Sequence, residues 1–187
     1  MSRDMEKHGK LSRTIENPVN GEIVTFIKTG AETNGEYMLA EVQLQPNGKI
    51  PAHYHTIFTE RFKVLEGKLD LVVDKKKITL QAGEELIVKS PQVHRFCNTS
   101  GKIVRFENEL RPAGNFEKAA RVGDGLVADG KGNKQGLPKN IFQLALIFEW
   151  VGSYFPGVPA SMQKNIFGLL AKIAKLRGMD KELEKYY

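Results

Sequence analysis

The chain has 187 residues, 41% hydrophobic and 27% charged, and holds no apolar run near the roughly 20 residues that a membrane-spanning helix needs. Its formal charge of +6 comes from 28 Lys and Arg against 22 Asp and Glu, an excess too small and too scattered for a nucleic-acid-binding face, so neither nucleic acid nor a membrane is expected as a partner. The single cysteine, Cys97, excludes an internal disulfide framework and any multi-thiolate site, and fits a reducing compartment, with the cytoplasm expected.

Residues 1–20 open with Arg3, Asp4, Glu6, Lys7, Lys10 and Arg13 among few apolar side chains. They lack the hydrophobic segment of a secretory signal and are expected to form a flexible leader, in which His8 has no role. From residue 21 to 112 the pattern becomes short β-branched or aromatic runs broken by Gly, Pro and Asn about every ten residues, the signature of a sandwich or barrel. Strands are expected at 22–28, 37–45, 60–65, 68–74, 78–80, 86–89, 94–98 and 103–110. Alternation is clearest where Leu69, Leu71 and Val73 share a face. The run Lys75-Lys76-Lys77 reads as a solvated hairpin tip between two strands.

After Arg111-Pro112 the glycine-rich stretch 113–137 reads as a linker, and 138–187 as a helical extension. Its first helical pattern, 138–152, is apolar all round, so Trp150 and the phenylalanines near it are expected to pack on the barrel or across a dimer. The second, 161–177, sets Ile166, Leu169, Leu170 and Ile173 on one face and Lys164, Lys172 and Lys175 elsewhere.

Strand alternation would place His53 and His55 on one face, close enough to hold one metal ion. Glu60 and His94 supply two further candidate ligands. An odd separation aims His55 and Glu60 to opposite faces of an uninterrupted strand, so this arrangement requires a bend within 56–59. Three neutral nitrogens and one carboxylate oxygen suit a divalent transition metal.

These residues stand in Gly48-KIPA-His53-Tyr-His55-TIFT-Glu60-RFKVLE-Gly67 and Gly83-EELIVKSPQV-His94-RFC-Asn98. The two segments resemble the paired motifs of the cupin superfamily, with one residue fewer after Gly48 and with Lys89 and Pro91 replacing a Pro and a Gly. The region Gly130-Lys131-Gly132-Asn133 and Gly136-Leu137-Pro138 is similar to the tail of small bacterial single-domain cupins. The resemblance implies an all-β cupin-type antiparallel jelly-roll barrel with an α-helical C-terminal extension, assembled as a homodimer. It also implies that His53, His55, Glu60 and His94 bind one divalent ion: Fe, Mn, Ni, Cu or Zn.

With a redox metal, the implied reaction is oxygenation of a small organic molecule, Glu60 acting as a catalytic base. Zinc would leave isomerisation, lyase chemistry or plain ligand binding. A non-catalytic cupin that binds a metal or ligand is the alternative. Residues at even offsets from the ligands, Phe62 after Glu60 and Phe96 and Asn98 after His94, are expected to form a largely apolar substrate wall, although the phenylalanines could equally be barrel core.

Overall fold

Strands form where side chains alternate between inside and outside, and a computed structural model, which describes residues 11–187, places ten of them before the first α-helix. They are β1 (Thr14–Asn17), β2 (Glu22–Lys28), β3 (Met38–Leu44), β4 (Lys49–His55), β5 (Thr59–Glu66), β6 (Lys68–Val73), β7 (Lys76–Gln81), β8 (Glu85–Val88), β9 (His94–Cys97) and β10 (Val104–Arg111). Then follow α1 (Phe116–Leu126), α2 (Ile141–Val151), β11 (Ser153–Tyr154), α3 (Ala160–Leu176) and α4 (Met179–Glu182).

Two antiparallel sheets result, in the orders β1-β2-β3-β10-β5-β8 and β11-β4-β9-β6-β7. Their inner faces carry Met38, Ala40, Val42 and Leu44 from β3 and Val104, Phe106 and Leu110 from β10. The rings of Phe62, Phe96 and Phe106 meet between the sheets with centroids 5.3 to 5.9 Å apart, the spacing of attractive edge and tilted aromatic pairs. This is the jelly-roll arrangement.

All-β therefore describes the barrel and not the chain, and several further expectations need correction. Within the supposed leader, Thr14–Asn17 pairs with β2, and Arg121 donates to the Ser12 carbonyl at 2.7 Å; residues 1–10, His8 among them, lie outside the described residues. The supposed linker contains α1, which buries Ala119, Val122 and Leu126. Its glycines hid a helix whose apolar stripe packs on the barrel, a case of tertiary burial overriding weak propensity. At the β6–β7 turn, Asp74 and Lys75 adopt φ of 46° and 73°, as a two-residue hairpin turn requires, so Lys76 and Lys77 belong to β7 and not to the tip.

The helical extension packs in cis. Ala145 and Leu146 of α2 are fully buried, and Trp150 lies beside Lys118 of α1, whose ammonium stands 4.2 Å from the ring centroid. On α3 the expected apolar face is split: Leu170 and Ile173 are half-buried, with Leu170 packed on the core, while its other two members are turned out. Ala171 and Ala174 are buried, whereas Ile166 and Leu169 are 49% and 61% exposed. Small residues let α3 sit close against α2, where Phe167 also meets the Phe148 ring edge-on at 5.0 Å between centroids.

Packing energetics should separate the two helices. Leu146→Ala should cost about 2–5 kcal/mol by removing fully buried methyl groups, whereas Leu176→Ala, at an 80% exposed position, should stay within about 0.5 kcal/mol. Urea unfolding of both variants checks this, and equal losses would contradict the packing described.

Candidate metal centre

His53 and His55 come from the end of β4, an irregular strand that carries Pro51 and slips its register against β9 between Ile50 and His53. His94 begins β9 and sits directly opposite His53. Glu60 lies near the start of β5, in the other sheet. The required bend is present: after His55 the chain leaves one sheet, turns through 56–58 and enters the other, which resolves the odd spacing.

One candidate ligand atom from each of His53, His55, Glu60 and His94 lies within 4.8 Å of all the others. Ring centroids are 4.7 Å apart for His53 and His55, and 4.4 Å for His53 and His94. Each Nδ1 is occupied from behind. His53 donates to the Pro51 carbonyl at 2.8 Å, His94 donates to the Gln92 carbonyl at 3.1 Å, and His55 bonds Ser153 Oγ at 2.7 Å. Such contacts fix ring orientation and aim the other nitrogen inward.

The inward atoms suit a cation. His94 Nε2 stands 2.9 Å from Glu60 Oε2, while His55 Nε2, 3.6 Å from the same oxygen, is buried without a hydrogen-bond partner. Burying an unpaired polar atom costs about 1–3 kcal/mol, a penalty that coordination would remove. Glu60 Oε1 is held by Asn108, whose amide donates at 2.8 Å.

Proton affinities follow from the same geometry. Burial, reinforced by the neighbouring imidazoles, pushes His53 down to about 3, so it is neutral, the form that ligates. Burial alone would raise Glu60, but the facing imidazoles outweigh it and hold the carboxyl well below its usual range. For His94 burial acts downward, and the Glu60 carboxylate more than offsets it, raising the imidazole. With Nδ1 already donating to a carbonyl, His94 Nε2 needs a proton or a metal between itself and that carboxylate.

A cavity of about 210 Å³ opens beside His53, His55 and Glu60. Phe96 lines it, together with Phe106, Phe116, Leu144, Ile147 and Phe148. Phe62 and Asn98 do not, which corrects two expected pocket positions. Phe62 is fully buried among barrel rings. Asn98 instead secures a turn, its amide donating to the Leu44 and Lys102 carbonyls at 2.9 and 2.8 Å. Asn108 and Ser153 escaped notice in the sequence. Asn108 could have been found, since it shares inward parity with Val104, Phe106 and Leu110; Ser153 carries no local signal, because α2 delivers it from far along the chain.

The Cupin domain family model matches residues 40–108. The chain carries a cupin domain. Polyketide synthase CurC of Streptomyces cyaneus is 31% identical to it over 90 residues, which are 48% of this chain and 56% of that protein, so the chain spans little more than half the length of the curated relative it matches. Solved structures similar to it include an RmlC-like cupin from Shewanella frigidimarina, at TM-score 0.48 and 17% identity over 59% of this chain and 92% of that one. KdgF from Halomonas sp. matches at TM-score 0.47 and 12% identity, over 52% of this chain and 84% of that one. The four-residue cluster of this cupin domain could hold a metal ion.

Two measurements test the site. Replacing His53 and His94 together by Ala should abolish bound metal by elemental analysis, and unchanged occupancy would discard the ligand assignment. Asn108→Ala or Ser153→Ala, which leaves the ligands in place but frees their orientation, should weaken metal affinity about 10- to 100-fold. Affinity of the wild type should also fall as the pH drops through the raised value of His94, because a protonated imidazole cannot ligate, while His53 stays neutral down to about 3.

Proposed function

We propose that this protein is a metal-dependent cupin that binds a small, largely apolar organic molecule beside its histidine cluster and oxygenates it. The observation that carries the reading is the adjacency of a built four-ligand centre to a cavity walled mainly by aromatic and aliphatic side chains. A divalent ion there would supply Lewis acidity and, if redox-active, electron transfer, with coordination positions left over on a six-coordinate ion.

The chain's own residues set the terms of that chemistry. His53, His55, His94 and Glu60 would hold the ion, Ser153 and Asn108 orient two of them, and the rings of Phe96, Phe116 and Phe148 would keep water from a bound molecule. Glu60 serves first as a ligand. To act as a base it must release His94 and Asn108, which now occupy both its oxygens.

Elemental analysis followed by oxygen-uptake screening against phenolic and diketone compounds tests the proposal. Bound Fe, Mn, Ni or Cu with substrate-dependent uptake is the expected result. Stoichiometric zinc without uptake would contradict oxygenation and leave isomerase, lyase or plain binding roles.

A further inference from the structure

Along β3 the inward side chains run Met38, Ala40, Val42 and Leu44, and the second of them is small for a barrel core. Ala40 shares a rung with Phe26 of β2 and Asn108 of β10, and Val42 shares the next inward rung with Val24 and Phe106. From α1 the wall opposite includes Ala120, again a methyl group. The space that larger residues would fill stays open as a second cavity of about 160 Å³.

Six of its eight lining residues, among them Asn108, Phe116 and Ala120, also line the cavity beside the metal cluster, so the two adjoin. Val24 and Ala40 line the second alone, and none of His53, His55, Glu60 and His94 reaches it. Its polar residues are already engaged: Asn108 donates to Glu60 at 2.8 Å, Asp124 accepts from Asn17 at 2.9 Å, and Glu22 accepts from Asn20. Burial, with Asp124 and Glu60 nearby, also pushes the Glu22 carboxyl up to about 8, so at neutral pH it keeps its proton and adds no charge. The chamber therefore does not depend on water to satisfy its walls, and left empty it forfeits packing contacts. An apolar cavity of about 150 Å³ takes up a benzene-sized molecule, so this one has room for a ring beyond the one that fits beside the metal cluster.

Resting on the function proposed above, we infer that the ligand is an elongated, largely apolar molecule two rings long: one end lies at the metal cluster, the other enters the second cavity beneath α1, and Val24 and Ala40 set the length that is accepted.

Binding of catechols to the zinc-loaded full chain, measured by calorimetry, tests this with a redox-silent ion. Catechol and 4-phenylcatechol present the same vicinal diol to the metal, and the second adds one ring at the remote end. The wild type should bind 4-phenylcatechol at least about tenfold more tightly, because the added ring leaves water for the second cavity. Ala40→Leu, which fills that cavity from β3, should cut the advantage to about twofold or less while zinc content and catechol affinity stay as in the wild type. Val24→Phe, which fills it from β2, should do the same, so the result does not rest on one overpacked variant folding. No advantage in the wild type, or an advantage that persists in a variant with wild-type zinc content, would overturn the inference although catechol still bound. Failure of catechol to bind the wild type would instead overturn the reading of the metal centre as a ligand site, and the inference with it.

Discussion

The convergence of three imidazoles and a carboxylate in the barrel interior is the constraint on which the remaining structure depends. Polar groups taken out of water must be paired, and here the pairing from behind is complete: carbonyl oxygens of Pro51 and Gln92, the Ser153 hydroxyl and the Asn108 amide each hold one side. What stays exposed to the centre is a set of nitrogen and oxygen atoms that repel one another unless a cation sits among them. The alternative, a proton shared by His94 and Glu60, still leaves His55 Nε2 without a partner.

That constraint explains why the helical part of the chain cannot be read as an appendage. α2 ends at Gly152, whose φ of 55° turns the chain back so that β11 pairs with the end of β4. A side chain at Gly152 would meet Thr56 Oγ1 at 2.9 Å, while its carbonyl accepts from Thr56 N at 3.1 Å. The same turn delivers Ser153 to His55. α1 and α2 together roof the cavity, through Ala120, Gly123, Leu144 and Ile147. The barrel provides ligands, and the helices provide orientation and enclosure.

Much of this was legible in the sequence because strands announce themselves by alternation and metal ligands by type and spacing. β2 matched its expected span, and the bend after His55 followed from the odd count to Glu60. β4 was missed because both its faces are half-covered and it carries Pro51, so no alternation shows. α1 was missed because glycines at 123 and 125 masked an apolar stripe. The pocket assignment of Phe62 and Asn98 failed for a different reason: parity gives the face of a sheet, not the depth along it, and an inward side chain can end in the core or in a turn. Parity applied to every strand would have exposed Asn108 and Glu22, whereas Ser153 and Asp124 reach the cavity through tertiary packing alone.

The barrel's contribution to chemistry therefore reduces to where one ion would sit. Anomalous diffraction from crystals of the metal-loaded protein measures that position directly. The account predicts a single peak about 2.0–2.2 Å from Nε2 of His53, His55 and His94 and from a Glu60 oxygen. A peak elsewhere, or one that leaves Glu60 or His94 beyond coordinating distance, would contradict it.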